Sequence, residues 1–521
     1  MVSPLFAIGG IGFVVMKRKL ILAGLSGILL FLSFPIYGFG FAAWAALIPL
    51  FFALKDTTPR AGFRIGFFAG FVAYIGIFYW IVYVVVQYGY LPVYAGIAAM
   101  LLLAAYLSMY TAGFAVGVVL LKRRRIPLFL SAPLLWTFLE FVRSHILTGF
   151  PWGNLAYSQY LYAKAIQIAD VTGIYGITYA VVLINAVLYD LLSQSDRKRR
   201  LWVEAFFAGV VITAILGYGH VRTAEIDNIV KTAPGLQAAL IQGNIEQSVK
   251  WDPLYQSQTI DIYRSLSRES IPSGGGLIVW PETAAPFYFQ HPGPLQQAIV
   301  DIARASGSSI LFGSPSYEKE KETVHYMNSA FLLGSDGTLG GRYDKVHLVP
   351  YGEYVPLRRY FPFIGKLVVG VGDFKAGRGY YPLTYAGHRL GVLICYEGIF
   401  PEAARDYKKE KVGLLVNITN DAWFGRTSAP HQHLAMTVFR AIENRLYLVR
   451  AANTGISAII DPKGSIVSRT GLFERTILKG DVKIIDEKTL YAAYGDAFVY
   501  LCAIVLLIIM ISTIQRRKRH D

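Results

Sequence analysis

Residues 390–397 read Leu-Gly-Val-Leu-Ile-Cys-Tyr-Glu. A short aliphatic run that is closed by polar residues is typical of a buried strand. Cys395 follows the last aliphatic residue directly, so it lies at the carboxyl end of the predicted strand. Open α/β sheets bind their ligands at this end of the strands. The segment therefore predicts a buried strand that ends in a nucleophile.

The surrounding chain, from residue 236 to 485, repeats this pattern of short aliphatic and β-branched runs separated by turns. It is long enough for an independent domain, and its alternation of strands and helices favours a layered α/β architecture. The predicted strands are Leu236–Ile245, Leu277–Trp280, Ser309–Phe312, Ser329–Leu333, Leu390–Ile394, Gly413–Ile418, Leu446–Arg450, Ile456–Ile460 and Ser465–Ser468. The predicted helices are Pro253–Ser270, Pro294–Ala305, Pro401–Lys408 and Pro430–Asn444.

Two further polar side chains are expected at strand ends. Glu282 follows the apolar run Leu277–Pro281, and Lys345 lies within the segment Tyr343-Asp-Lys-Val-His. Taken singly, each residue has an ordinary structural interpretation, since a buried cysteine packs as a small hydrophobe, a glutamate caps and a lysine is solvated. The three residues together favour a catalytic site.

The chemistry that these residues fit is acyl transfer through a thioester. A cysteine needs a base to become a thiolate, and the tetrahedral intermediate needs a cation or N–H donors. We predict Glu282 as the base, Cys395 as the nucleophile and Lys345 as the group that stabilises the oxyanion. The backbone N–H of Tyr396 is the natural second donor.

Histidine offers an alternative partner for the cysteine, because His347, His431 and His433 belong to the same predicted domain. No Cys and His residues show metal-ligand spacing, so we expect neither a metal site nor a cofactor. The second cysteine, Cys502, falls in an apolar run, where we expect it to pack and to be dispensable.

The composition of the whole chain indicates a membrane protein. Of 521 residues, 54% are hydrophobic and only 16% are charged, whereas soluble domains carry about 25% charged residues. This balance argues against a soluble enzyme, a disordered chain and a disulfide scaffold. Most of eight apolar runs approach or exceed the roughly 20 residues that span a bilayer. The runs are 20–34, 39–54, 65–86, 91–121, 126–147, 165–192, 201–220 and 497–514.

The formal net charge of +16 is unevenly distributed. Residues 222–494 hold 30 basic and 26 acidic side chains, whereas the rest of the chain holds 20 basic and 8 acidic ones. With the amino end in the cytoplasm, eight helices place every basic cluster on one side, as the positive-inside rule requires. The clusters thus orient the protein and do not bind nucleic acid, and residues 222–494 lie outside the cytoplasm. The clusters are Lys17–Lys19, Lys55 with Arg60 and Arg64, Lys122–Arg125, Arg197–Arg200 and Arg516–Arg519.

These observations divide the chain into four predicted segments. The first is an apolar extension in which Met16 is an alternative start to Met1. No small-residue cleavage site follows the first helix, so a cleaved signal peptide is not expected. The segments are 1–19, the N-terminal extension; 20–221, a seven-helix transmembrane domain; 222–494, the catalytic domain; and 495–521, a transmembrane helix with a basic tail.

The segments around the three candidate residues resemble the nitrilase, or carbon-nitrogen hydrolase, superfamily. They are Trp280-Pro-Glu282-Thr, Tyr343-Asp-Lys345 and Cys395-Tyr-Glu397, followed by the framework segments 417–425 and 450–455. Further segments, together with the apolar helices on both sides, resemble the apolipoprotein N-acyltransferase family. They are Gly149-Phe150-Pro151-Trp152, Gln242-Gly-Asn244, Lys250-Trp251 and the run from Lys345 to Pro356.

This resemblance implies a nitrilase-like α-β-β-α sandwich in the periplasm, mounted on a multi-pass α-helical domain of the bacterial inner membrane. It implies a ping-pong reaction without a cofactor. A membrane phospholipid donates an acyl group to Cys395, and the α-amino group of the diacylglyceryl-cysteine of an apolipoprotein accepts it. It also implies a monomer.

The resemblance further implies supporting residues. Glu353 is expected near Lys345 and the leaving group, Glu397 is expected to position or polarise Lys345, and Asn328 is expected near the site. The alternative for the two carboxylates is a surface or capping role. The residues expected to line the lipid entrance or cover the site, or else to form an interfacial aromatic belt, are Trp251, Tyr396, Phe150 and Trp152.

Two other functions compete with this one. A membrane-anchored amidohydrolase would use the same triad but would pass the acyl group to water, which a transferase must exclude. A non-catalytic scaffold would bind partners through the same fold, but it would not need Glu282, Lys345 and Cys395, and all three are present.

Overall fold

The computed structural model describes residues 4–193, 198–270, 275–355 and 373–518. The chain forms two compact units. The helical unit comprises the residues up to 82, 93–220 and those from 496 onward, and the sandwich unit comprises 83–92 and 221–495. Four residues named above lie outside the described ranges: Met1, Arg197, Pro356 and Arg519.

The helical unit contains most of the long helices. Residues 4–19, predicted as an extension, are helical and continue into the first apolar run, and the helix that begins at Lys198 runs on to Thr232. The α-helices of the described residues are α1 (Pro4–Leu32), α2 (Ile48–Ala53), α3 (Pro59–Phe78), α4 (Trp80–Gly89), α5 (Val93–Arg123), α6 (Leu128–His145), α7 (Ala163–Ile166), α8 (Ala169–Thr172), α9 (Ile174–Leu192), α10 (Lys198–Thr232), α11 (Pro253–Ser270), α12 (Pro294–Ser306), α13 (Pro401–Lys409), α14 (Ala429–Asn444), α15 (Leu490–Tyr494) and α16 (Ala497–Lys518).

Within the described ranges, four helices, α3, α5, α9 and α10, are long and apolar enough to cross a membrane, and shorter apolar helices occupy 40–53, 80–89 and 497–512. Small residues bring α3 and α5 close together. A Cβ atom on Gly66 would collide with Ala115, and one on Gly70 would collide with Thr111. Glycines four residues apart allow such backbone contact between helices in a bilayer. The number of spans, eight, stays a prediction.

A buried charged pair on α6 fixes the loop that follows it. Glu140 accepts hydrogen bonds from Trp136 Nε1 at 3.0 Å, from the N–H of Leu155 at 2.8 Å and from Thr178 Oγ1 at 2.9 Å. Arg143 donates to Tyr74 OH at 2.9 Å and to Asn154 Oδ1. Leu155 and Asn154 belong to the loop, so both charges hold its backbone and side chains in place.

The same loop carries two of the predicted lipid-contact residues. Phe150 packs against Phe78 with ring centroids 5.4 Å apart, and Trp152 packs against Trp80 at 5.0 Å. Trp152 is buried. Both aromatic side chains are therefore ordered parts of the helical unit.

The sandwich unit contains two six-stranded mixed sheets. Their strand orders are β12-β1-β2-β3-β4-β5 and β11-β10-β9-β8-β7-β6. The runs β1-β2-β3 and β7-β8-β9 are parallel, and the other pairings are antiparallel. The strands are β1 (Gly235–Gln242), β2 (Leu277–Val279), β3 (Ser309–Glu320), β4 (Thr323–Leu333), β5 (Leu339–Asp344), β6 (Leu383–Tyr385), β7 (His388–Ile394), β8 (Leu414–Thr419), β9 (Tyr447–Ala452), β10 (Ala458–Ile460), β11 (Ile466–Arg469) and β12 (Thr476–Lys483).

The layers follow an α-β-β-α order. Helices α11 and α12 pack on the first sheet through a core that includes Tyr263, Trp280 and Ile299, and α13 and α14 contact β7 and β9 of the second. The two sheets meet at β1 and β9, where Ser457 donates to Gln242 Oε1 at 2.6 Å. The structure confirms the predicted architecture, a unit of long apolar helices and an α-β-β-α sandwich.

Candidate active site

The candidate triad lies at the ends of three strands. Cys395 follows β7, Glu282 comes three residues after β2 and Lys345 follows β5. All three side chains are buried, with exposed fractions of 7%, 6% and 1%. Cys395 has φ of +52°, a left-handed conformation that is strained for a residue with a Cβ and that occurs most often at functional sites.

Glu282 is held at both carboxylate oxygens. Its Oε1 accepts a hydrogen bond from Asn328 Nδ2 at 2.7 Å, and its Oε2 accepts one from the N–H of Asn420 at 2.9 Å. Lys345 Nζ lies 3.6 Å from Oε1. These contacts fix the orientation of the carboxylate beside the lysine.

Lys345 makes its shorter ion pair with Glu353. Nζ donates to Glu353 Oε1 at 2.9 Å, and Asn328 Nδ2 donates to the same oxygen at 2.9 Å. Burial disfavours the charge on Lys345, but the carboxylates of Glu353 and Glu282 outweigh burial and raise the pKa above its ordinary value. The lysine is therefore an ammonium ion throughout the physiological range.

Cys395 rests as a thiol. Burial raises the pKa of its thiol well above the ordinary value, the charge of Glu282 raises it further, and Lys345 acts in the opposite direction. A thiol in this environment needs a base to become a nucleophile, and Glu282 carries the nearby carboxylate.

Glu397 joins two segments of the site. Burial raises the pKa of its carboxyl group to about 7, although hydrogen bonds oppose the shift. The four donors come from the two sides of Lys345 and from the residue before Cys395. They are Tyr343 OH (2.8 Å), the N–H groups of Val346 (2.7 Å) and His347 (3.1 Å), and the N–H of Ile394 (2.7 Å). Glu397 thus fixes the backbone that follows the lysine, the side chain of Tyr343 that precedes it, and the backbone next to the cysteine.

The predicted lipid-contact residues occupy different parts of the molecule. Trp251 lines a cavity of about 470 Å³ together with Phe287 and Tyr288. Tyr396 is buried, and its ring packs on Phe400 with centroids 5.0 Å apart. Phe150 and Trp152 belong to the helical unit. Their role as lipid contacts stays a prediction.

Sequence reasoning gave no role to Lys250, although it named the Lys250-Trp251 pair. The side chain is buried, and its Nζ donates to the main-chain oxygen of Glu282 at 3.2 Å. Burial lowers the pKa of Lys250 to about 8, with Glu282 opposing the shift. A lysine next to a tryptophan reads as a surface residue in a sequence, and only its long-range contact with Glu282 places it at the site.

Within the described ranges, no group of three or more His, Cys, Asp or Glu side chains is placed to hold a metal ion. Among the three histidines considered as partners for the cysteine, His347 stacks on Phe400 at 3.6 Å. His433 contacts the main-chain oxygen of Cys395.

The sandwich unit matches a known enzyme family. Residues 237–488, which contain the whole triad, match the carbon-nitrogen hydrolase family. The sandwich unit is thus a nitrilase-class domain. An amidase of the nitrilase superfamily from Nesterenkonia AN1 is 20% identical, with a TM-score of 0.39 over 52% of this chain and 98% of the amidase; this similarity is too low to add to the assignment.

The helical unit matches a more specific family of enzymes. Residues 26–187 match the N-terminal domain of apolipoprotein N-acyltransferase. The apolipoprotein N-acyltransferase of Geobacter metallireducens is 44% identical over 97% of both chains, and that of Pasteurella multocida is 32% identical over 95% of both. The chain belongs to the apolipoprotein N-acyltransferase family. The predicted enzyme class, an acyltransferase of the nitrilase superfamily, is confirmed, and the long apolar helices agree with a membrane protein.

Proposed function

We propose that the protein moves a fatty acyl group from a membrane phospholipid to the free α-amino group of the diacylglyceryl-cysteine that begins an apolipoprotein. The observation that carries the proposal is the buried constellation of Glu282, Lys345 and Cys395. Family membership and the two matched domains supply the substrate classes.

In the first half of the reaction, Glu282 takes the proton from Cys395 Sγ, and the thiolate attacks the ester carbonyl of the phospholipid. Negative charge develops on the carbonyl oxygen, where Lys345 and the N–H of Tyr396 stabilise it. The tetrahedral intermediate then expels the lysophospholipid alkoxide, which receives the proton held by Glu282. The product is a thioester on Cys395.

In the second half, the acceptor amine attacks the thioester carbonyl. Glu282 takes a proton from the attacking nitrogen, the same oxyanion donors act again, and the thiolate of Cys395 leaves. Protonation of the thiolate restores the resting thiol, and the acceptor carries a new amide. One carboxylate thus serves both half-reactions.

Supporting residues act on this machinery. Glu353 holds Lys345 through the 2.9 Å ion pair, and Asn328 joins the two carboxylates. Glu397 keeps the segments of Lys345 and Cys395 together. Trp251 and Tyr396 contact the lipid chains or cover the site, which keeps water from the thioester. Phe150 and Trp152 contact the lipid chains.

The proposed location is the bacterial inner membrane, with residues 222–494 in the periplasm. The basic clusters, which are all predicted on one side of the membrane, support this orientation through the positive-inside rule. Both proposed substrates are anchored in the outer leaflet of this membrane, which faces the periplasm. We retain 20–221 as a seven-helix domain and 495–521 as the last helix and tail. We also propose that the protein acts as a monomer.

The test is mass spectrometry of the purified protein after incubation with phospholipid. A fatty acyl adduct on Cys395 is expected, and it should move to a diacylglyceryl-cysteine peptide that is added next. Cys395→Ala should abolish the adduct and Glu282→Gln should slow it, whereas Cys502→Ala, the matched control, should leave it intact. No adduct would overturn the proposal, and an adduct that decays only to free fatty acid would favour the amidohydrolase.

A further inference from the structure

A buried histidine contacts the backbone of the nucleophile. His433, on α14, has its Nε2 atom 3.2 Å from the main-chain oxygen of Cys395, and the side chain is 1% exposed. A carbonyl oxygen only accepts hydrogen bonds. A proton on Nε2 makes this contact a hydrogen bond from His433 to the carbonyl group of Cys395, and this tautomer also lets Nδ1 accept from Arg450 Nη2, which can only donate and lies 3.1 Å away.

The imidazole ring is fixed from its other side. Nδ1 lies 3.0 Å from Asp421 Oδ1 and 3.1 Å from Arg450 Nη2, and Arg450 donates to Asp421 Oδ2 at 2.7 Å. Thr419 also donates to Asp421, at 3.0 Å. Asp421 and Arg450 are buried, so the orientation of His433 is determined by an internal charged network.

The carbonyl of Cys395 and the N–H of Tyr396 belong to one peptide group. A trans peptide is planar, and its C=O and N–H bonds point in opposite directions. A donor that holds the oxygen of Cys395 therefore also fixes the direction of the Tyr396 N–H. Hydrogen bonds in a chain polarise one another, so the same contact makes the Tyr396 N–H a stronger donor.

We propose that His433 is a positioning residue that aims and polarises the Tyr396 N–H at the oxyanion formed on the acyl carbonyl. Because the φ of Cys395 is +52°, the peptide that follows it sits in a conformation that needs such a restraint. His433 touches neither substrate nor thiolate in this role. The inference rests on the proposed function, in which the Tyr396 N–H is an oxyanion donor.

The experiment compares three variants of the full-length protein. His433→Ala removes the donor, and His433→Gln offers an amide N–H in its place. His431→Ala changes a half-buried histidine on the same helix, outside the network, and is the matched control. Each protein receives a phospholipid with a ¹³C-labelled acyl carbonyl, and the rate of adduct formation on Cys395 and the infrared band of the thioester carbonyl are recorded.

A weaker oxyanion donor polarises the thioester carbonyl less, so His433→Ala should shift its band to higher wavenumber. The rate of adduct formation should fall roughly 10-fold, which is less than the 10²–10³-fold cost of deleting a donor outright. His433→Gln should recover part of both effects, and His431→Ala should match wild type. A merely structural role would lower the folded fraction without moving the band of the adduct that forms.

An unshifted band in His433→Ala, or an equal shift in His431→Ala, would overturn the inference while the proposed function stands. If wild type forms no adduct at all, the proposed function itself fails. Should His433→Ala not fold, His433→Gln and His433→Asn carry the comparison. The longer amide reaches the carbonyl and the shorter one does not, and identical bands in the two would overturn the inference.

Discussion

Both units bury a carboxylate beside a cation, but the two arrangements are built differently. In the helical unit, Glu140 and Arg143 each hold separate partners of one loop. In the sandwich unit, Glu282 and Glu353 share a single lysine and a single Asn328 amide. The first arrangement distributes its hydrogen bonds over backbone and neutral side chains, whereas the second concentrates charge around Cys395.

The choice of cation fits this difference. Arginine is always charged and its planar fork holds several acceptors at once, which suits the fixed loop at Arg143. A lysine is a compact point charge, and Lys345 can approach both carboxylates and a developing oxyanion. Removing the cation should therefore lower the stability of both units, because each cation has buried partners, but only in the sandwich unit should it also lower the rate of the chemistry.

The largest expected effect is on the chemistry of Lys345. Lys345→Met keeps the length of the side chain but removes the positive charge, so the oxyanion loses its cationic donor. The rate of adduct formation on Cys395 should fall by about 10²–10³-fold, measured by mass spectrometry of quenched time points. Lys375→Met is the control, because Lys375 pairs with Glu320 at 3.1 Å on the surface. A rate equal to that of wild type would show that Lys345 does not stabilise the oxyanion.

The next effect is on the stability of the helical unit. Arg143→Met removes the donors to Tyr74 OH and Asn154 Oδ1, and each buried group left without its partner costs about 1–3 kcal/mol of the free energy of unfolding. Thermal unfolding in detergent should show a clear decrease in the transition temperature. Arg123→Met is the control, since Arg123 makes one long, exposed contact with Thr57 at 3.4 Å. Equal transition temperatures in the two variants would contradict the prediction.

A third test concerns Lys250, the buried lysine that donates to the main-chain oxygen of Glu282. The pKa of Lys250 is lowered to about 8 from its ordinary 10.5, so between these values the unfolded chain binds more protons than the folded one. The free energy of unfolding contributed by Lys250 should rise with pH across this window, by at most about 1.4 kcal/mol per pH unit. The measurement is denaturant unfolding at several pH values for wild type and Lys250→Met.

Lys479→Met is the matched control for that test. Lys479 also donates to the main-chain oxygen of a glutamate, Glu269, at 2.6 Å, but it is exposed. The difference between wild type and Lys250→Met should grow with pH, and more steeply than the difference between wild type and Lys479→Met. Parallel pH curves for wild type and Lys250→Met would show that burial does not lower this pKa.

Two of the three strands that carry the triad were predictable because their apolar runs are continuous, whereas β5, which precedes Lys345, was missed because its sequence, Leu-Gly-Gly-Arg-Tyr-Asp, contains no such run. The strand before Cys395 and the run before Glu282 are buried along their length, and the structure confirms both. β12 was missed, because its sequence, Thr476 to Lys483, mixes exposed lysines with apolar residues at an edge. β3 was predicted to end at Phe312 and instead continues to Glu320, since pairing with β4 compensates for its polar residues.

Cys395 and Glu282 were predictable from strand ends, and Glu353 and Asn328 were expected near the site from the family resemblance, but other partners of the triad were not predictable. The N–H of Asn420 reaches Glu282 across 138 positions, and His433 reaches Cys395 across 38. Such contacts depend on how the two sheets and α14 pack, which local periodicity does not encode. The motif segments contained Asn420 and Arg450, but only the folded structure shows that Asn420 contacts Glu282 and that Arg450 contacts Asp421.

The smallest expected effect concerns residues 83–92, which follow a helix of the helical unit in sequence but fold with the sandwich unit. Tyr88 OH donates to the main-chain oxygen of Ala422 at 2.8 Å, and its ring packs on Trp423 at 4.9 Å. Tyr88→Phe keeps the ring contact but removes the donor, so the free energy of unfolding should fall by about 1 kcal/mol.

Tyr90 supplies the control, because it lies in the same segment and is 75% exposed. Tyr90→Phe should leave the transition in thermal unfolding unchanged, whereas Tyr88→Phe should lower it slightly. Ala422 comes two residues after Asn420, whose N–H orients Glu282, so the lost bond should also slow adduct formation on Cys395 by a small factor. If both variants behaved like wild type, residues 83–92 would not stabilise the loop of Asn420 and Ala422. The prediction would then be wrong.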